Sequence, residues 1–193
     1  MVKTALVTGV AGFVGSHLAE KLLAEGWRVM GVDCCTVTYA RSLKEQNLAA
    51  VEGHARFAFE KTDLVTADLT AMVASTDVVF HLAGQAGVRT SWGAEFEIYT
   101  ERNVLATQRL LEAVKKVGSL HRLVYASSSS VYGDTKDLPV TEESLPLPIS
   151  PYGVSKLAAE YLCRLYCSQY GVPTVSVRYF TVYGPRQRPD MAF

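Results

Sequence analysis

The chain has 193 residues, 49% of them hydrophobic, and its 19 Lys and Arg balance 19 Asp and Glu. That length suits one domain with a sizeable core, and the zero formal charge offers no field for nucleic acid or an anionic membrane. No apolar stretch reaches bilayer length, and the apolar run 2–7 enters a glycine motif with no room for a cleavable leader, so a soluble, cytoplasmic protein is expected.

Taken in chain order, apolar runs alternate with amphipathic stretches. Residues 3–8 read as a buried strand and 13–24 as a helix. Strand candidates follow at 28–33, 56–60, 77–82, 122–127 and 174–179, with helical patterns at 43–51, 69–74, 95–116 and 151–170. Such alternation requires parallel strands joined by right-handed crossovers. The expected fold is therefore α/β: a doubly wound, mostly parallel sheet of Rossmann type with helices on both faces. No repeat, low-complexity tract or linker interrupts it, and 133–149 reads as a surface loop near the site. Cys34 and Cys35 are adjacent and Cys163 and Cys167 stand one helical turn apart, without metal-site companions. Buried reduced thiols are the expectation, with a disulfide as the alternative and no metal site.

Gly9, Gly12 and Gly15 form a variant of the dinucleotide fingerprint, in which a tight turn delivers backbone N–H groups to a pyrophosphate. The helix opening at Phe13 and Val14 points its positive end at that anion. Glycines also mark ordinary strand-to-helix turns, but these lie at the first crossover and Asp33 ends the second strand. A carboxylate there accepts ribose hydroxyls and repels a 2′-phosphate, so NAD is expected rather than NADP; the alternative is a solvated turn residue. Asp63 and Leu64 could hold the adenine edge, or Asp63 could cap a helix. Leu82, Ala83 and Gly84 let backbone approach the cofactor, with His81 as a structural histidine.

Ser150 can cap a helix whose first turn suits Pro151, which puts Tyr152 and Lys156 on one face. An ammonium beside a phenol favours phenolate, so Tyr152 could act as a base near neutrality. The run Ser127, Ser128, Ser129, Ser130 closes a strand whose carboxyl end faces the ligand crevice, unless it is only a turn-rich strand end. Together these features read as redox chemistry on an alcohol.

The motifs Thr8-Gly9-Val10-Ala11-Gly12-Phe13-Val14-Gly15, His81-Leu82-Ala83-Gly84, Ser127 through Gly133, Tyr152-Gly153-Val154-Ser155-Lys156 and Arg178 through Pro185 come in an order that resembles the extended short-chain dehydrogenase/reductases. More narrowly, the chain resembles the NAD-dependent nucleotide-sugar epimerase/dehydratase family and, through Gln85 to Arg89 and Thr181 to Phe193, its UDP-glucuronate 4-epimerase type. The resemblance implies that Tyr152 is the base and that Lys156 binds nicotinamide ribose and lowers the tyrosine pKa. It implies that Ser128 bonds the reacting oxygen, with Ser127 and Ser129 as the neighbouring alternatives, and it adds Tyr179 to the cofactor side. Ser129, Ser130, Thr181 and Arg188 are candidate substrate contacts, the last two for a carboxylate. Arg186 and Arg188 could instead be solvated charges. Arg89 could face pyrophosphate, substrate or a neighbouring helix acid.

Dehydratases of this family carry Asp-Glu where Ser129 and Ser130 stand, and the decarboxylases carry Glu at Ser130. Lacking those acids, the chain is expected to epimerise a UDP-hexuronic acid or UDP-hexose at C4 through a 4-keto intermediate, without net redox change. The resemblance also implies a homodimer through the helices at 95–116 and 151–170, where Leu110, Leu111, Leu157, Leu162, Leu165 and Tyr166 serve either that interface or the core. Residues 1–193 are expected to form the NAD-binding domain, with 180–193 the start of a substrate-binding region that is otherwise missing. Two other readings remain: an oxidoreductase acting on a smaller alcohol, and a cofactor-binding module with little turnover.

Overall fold

The computed structural model describes residues 2–36, 39–136 and 138–189. Six strands, β1 Thr4–Thr8, β2 Arg28–Asp33, β3 Phe57–Lys61, β4 Val78–His81, β5 Arg122–Ser128 and β6 Thr174–Tyr179, form one sheet in the order β3-β2-β1-β4-β5-β6. Every neighbouring pair is parallel. The helices are α1 Phe13–Ala24, α2 Arg41–Ala49, α3 Thr70–Ala74, α4 Phe96–Tyr99, α5 Ala106–Val117 and α6 Pro151–Tyr170. Among the described residues no helix is long and apolar enough to cross a membrane.

Alternation along β1 makes the sheet doubly wound. Ala5 and Val7 pack on one face with Leu22, Leu23 and Leu48 of α1 and α2, while Leu6 packs on the other with α3, α5 and α6. Leu110, Leu111 and Tyr166 belong to that second core and Leu162 packs against it. Leu165 instead stands 51% exposed, beside Val154 and Tyr161 on the outer face of α6.

The local signals in the sequence act where expected around α6. The Ser150 side chain accepts the Gly153 N–H at 3.1 Å, Pro151 opens the first turn, and Gly171 ends the helix in the left-handed region at φ 68°. Arg178 on β6 grips Glu160 of α6 through both carboxylate oxygens, at 2.8 to 3.2 Å, and so locks the register of this helix against the sheet.

The helical pattern at 95–116 is one run in sequence but not in structure: between α4 and α5, Thr100–Leu105 winds as a π-helix. The Thr107 hydroxyl takes the Asn103 carbonyl at 2.6 Å, and the Asn103 amide reaches inward to the loop after β4. Single π turns of this kind occur inside α-helices, frequently at functional sites. Cys167, expected buried, is exposed, whereas Cys163 is buried; all four thiols are free. Of the segment 180–193, residues 190–193 lie outside the described residues, as does Asp137 in the loop 133–149.

Candidate active site

The strand order reverses between β1 and β4, and a crevice of about 490 Å³ opens there at the carboxyl ends of the strands. Its floor is the first crossover. Gly9 holds φ at 71°, and a Cβ on Gly15 would stand 2.2 Å from the Gly9 carbonyl oxygen, so this turn admits only glycine. Gly12, Phe13, Val14 and Gly15 line the crevice, so α1 presents its amino end to it, with no acidic side chain in its first turn.

Two ion pairs line one end. Asp33 is 6% exposed; it accepts the Ala11 and Cys35 amides at 3.2 and 2.7 Å and faces Lys44 Nζ at 3.4 Å. Asp63 pairs with Arg102 at 2.5 Å and accepts the Val65 amide at 2.9 Å. Burial works to raise the Asp63 pKa, but the Arg102 and Val65 hydrogen bonds outweigh it and hold the carboxyl below its ordinary value. Asp63 thus stabilises its own turn while lining the crevice with Leu64, and Leu82, Ala83 and Gly84 line it from β4.

At the other end, Ser128 and Tyr152 line the crevice together, and the serine hydroxyl acts to lower the phenol's pKa; the Ser128 hydroxyl accepts the Ser130 amide at 3.2 Å. Tyr152 and Lys156 line one inner recess of about 140 Å³ together with Tyr179. Ser129, Ser130, Thr181 and Arg188 line the main crevice. The two arginines near the chain's end part company: Arg186 turns away to Glu20 at 2.5 Å and Ser16 at 3.2 Å, while Arg188 faces the crevice and acts electrostatically on Tyr152. Arg89 sits exposed on the single turn Arg89–Ser91 and lines neither space. Ser127 is buried, its hydroxyl without a hydrogen-bond partner among the described residues.

One electrostatic expectation is corrected. Burial raises the Tyr152 pKa above its ordinary value, although Ser128 and Arg188 pull it back in part. The Lys156 ammonium donates to the Ala126 carbonyl at 3.0 Å and lies 5.1 Å from the centre of the Tyr125 ring. Burial also drives Lys156 down to about 8. His81 is fully buried between the Thr8 and Thr107 hydroxyls at 2.8 and 3.0 Å, and burial takes its pKa to about 3, a neutral structural histidine.

Lys156 therefore costs stability. Its folded pKa lies below its unfolded one, so the penalty is complete below about pH 8 and fades as pH rises from there toward 10.5. Lys156→Met is expected to raise the melting temperature at pH 7 by a few degrees, with the gain vanishing near pH 10. Thermal melts of both proteins across that range check it.

Three contributors carried no clear sequence signal: Lys44, Arg102 and Asn103. Lys44 and Arg102 lie in helical segments, where charges read as solvated faces. Asn103, on the π-helical turn, donates to the Gln85 carbonyl at 3.0 Å and to Ser155 at 2.9 Å and accepts the Gln85 amide at 2.7 Å. Through these bonds it fixes the loop after β4 against α6.

Comparisons with known proteins give the chain's family and fold relatives. The family model of GDP-mannose 4,6 dehydratase matches residues 6–192. The uncharacterized UDP-glucose epimerase YtcB of Bacillus subtilis (strain 168) is 50% identical over 97% of this chain and 59% of its own length. UDP-glucuronate 4-epimerase of Thermodesulfobacterium geofontis (strain OPF15) is 40% identical over 97% of this chain and 58% of its own. The crystal structure of UDP-glucuronic acid 4-epimerase from Bacillus cereus, in complex with UDP-glucuronic acid and NAD, superposes with a TM-score of 0.94 at 47% identity, covering 98% of this chain and 60% of that one. The chain thus spans less than two thirds of the length of these relatives.

Proposed function

The chain belongs to the GDP-mannose 4,6-dehydratase family of NAD-dependent epimerases and dehydratases, and from that premise we propose that it binds NAD and supplies the catalytic half of a UDP-sugar 4-epimerase, with UDP-glucuronate as the substrate class. The observation that carries this reading is the gathering of the Tyr152 phenol with Ser128, Lys156 and Arg188 around the crevice and its inner recess, beside the serines 127–130.

The residues present fit NAD. The Gly9–Gly15 turn leaves a cradle that a Cβ would fill, the amino end of α1 meets it, and Asp33 lines the same crevice, where it would accept the adenosine ribose hydroxyls. When bound, NAD supplies a hydride acceptor and donor at C4 of the sugar. Tyr152 takes the C4 hydroxyl proton and returns it after the keto sugar has turned. Ser128 donates to the same oxygen and holds it against the phenol. Burial raises the pKa of that phenol in the ligand-free chain while Arg188 pulls against it, so proton transfer to it depends on positive charge brought close at the moment of reaction. Arg188 and Thr181 hold the uronate carboxylate, the guanidinium fork matching its two oxygens. Ser129 and Ser130 offer hydroxyls to the sugar and no acid able to expel a hydroxyl group, which favours epimerisation over dehydration.

Residues 181–189 would then begin the substrate wall. Val154, Tyr161 and Leu165, exposed along one face of α6, would form a two-fold dimer interface in the cytoplasm.

The test is direct. The chain with NAD and UDP-glucuronate is expected to yield UDP-galacturonate, resolved by chromatography, with no net NADH. Net NADH from a non-nucleotide alcohol would replace this reading with a small-substrate oxidoreductase. Tight NAD binding with no product from any UDP-sugar would leave a cofactor-binding module.

A further inference from the structure

We infer that Lys44 gives the Asp33 end of the crevice a latent site for a 2′-phosphate, which Asp33 alone keeps closed. The inference rests on the proposal that the adenosine ribose of NAD lies beside Asp33.

The usual reading of such a carboxylate is a free negative charge that accepts ribose hydroxyls and repels phosphate. Here the charge is not free. Asp33 lies opposite Lys44 Nζ at 3.4 Å, with both side chains nearly closed off from water, at 7% and 8% exposure. Lys44 comes from α2, and the Tyr39 ring lies 5.3 Å from its ammonium. Asp33, Lys44 and Tyr39 all line the crevice, so the cation and the carboxylate share the wall a ribose would touch. Lys61, the β3 residue in register with Asp33, adds an exposed positive charge at the same sheet end. The remaining charges facing this region, Asp63 and Arg102, neutralise each other at 2.5 Å.

A buried ammonium that loses its carboxylate is strongly disfavoured until another anion replaces it. A ribose 2′-phosphate is such an anion, with oxygens suited to charge-assisted hydrogen bonds. Removing the Asp33 charge would therefore do two things together: lift the repulsion, and expose a cation already in place. Specificity of this kind comes from a repulsive element laid over an attractive one. Changing cofactor preference here requires no imported arginine, only the loss of one negative charge.

Calorimetric titration of NAD and NADP into four proteins tests this without any turnover: the native chain, Asp33→Asn, Lys44→Gln and the double variant. The native chain is expected to prefer NAD. Asp33→Asn is expected to shift the NADP/NAD affinity ratio by about tenfold or more toward NADP, the scale of one charge-assisted hydrogen bond, and the double variant to lose that gain. Lys44→Gln alone is expected to lower the ratio further, which keeps the inference testable if Asp33→Asn does not fold. An Asp33→Asn gain that persists without Lys44, or no gain in a folded Asp33→Asn protein, would overturn the inference while native NAD binding left the functional proposal intact. Absence of NAD binding by the folded native chain would overturn both.

Discussion

Tyr152→Phe is expected to lower the epimerisation rate by about 10²–10⁴-fold, the range over which a positioned acid–base group acts, while NAD affinity stays close to native. Both Ser128 and Arg188 act on the Tyr152 phenol to lower its pKa. Phenylalanine keeps the ring, which packs edge-on against Tyr99 with centroids 6.1 Å apart, and removes only the oxygen proposed to carry the proton. Single-turnover rates on UDP-glucuronate alongside NAD titrations separate the two effects. A Tyr152→Phe protein with near-native turnover would remove the proposed mechanism, which assigns the proton to that phenol.

Gly15→Ala is expected to damage the cofactor site and the fold together. The added methyl would lie 2.2 Å from the Gly9 carbonyl oxygen and 2.9 Å from the Val10 Cα, all backbone atoms that no side-chain rotation can relieve. The first crossover must then open, and the amides proposed to meet the pyrophosphate move with it. Overpacking of this kind costs about 1–3 kcal/mol, which for a chain of this length is a fall of several degrees in melting temperature. NAD affinity should fall further than stability alone accounts for, and calorimetry beside thermal melts measures both. A native NAD affinity in this variant would contradict the placement of the phosphates at this turn.

Much of the architecture was legible in the residues because its signals are local. The sequence pattern gives 13–24, 28–33, 151–170 and 174–179 with the observed bounds, since apolar periodicity, Ser150 and Pro151 all act within a turn of where they stand. The doubly wound parallel sheet followed from alternation alone. Where a distant partner intervenes, local reading stops. The pattern at 95–116 is helical throughout, yet Asn103 answers to Gln85 and Ser155 and the ladder widens into a π turn. Lys44 and Arg102 sit in helical segments and pass for solvent-facing charges until β2 and the turn after β3 bring Asp33 and Asp63 against them.

The candidate site divides along the same line. The sequence by itself determined which chemical groups meet: glycines at the first crossover, hydroxyls at the end of β5, a phenol and an ammonium one turn apart on α6. Each is fixed by the spacing of a strand or helix, which a few neighbouring residues dictate. Only the tertiary structure decided their electrostatics. It buried Tyr152 so that its pKa rises, gave Lys156 to the Ala126 carbonyl, and neutralised Asp33 with Lys44. Those outcomes depend on desolvation and on charges brought from remote parts of the chain, and neither quantity is set until the sheet has closed and water has left.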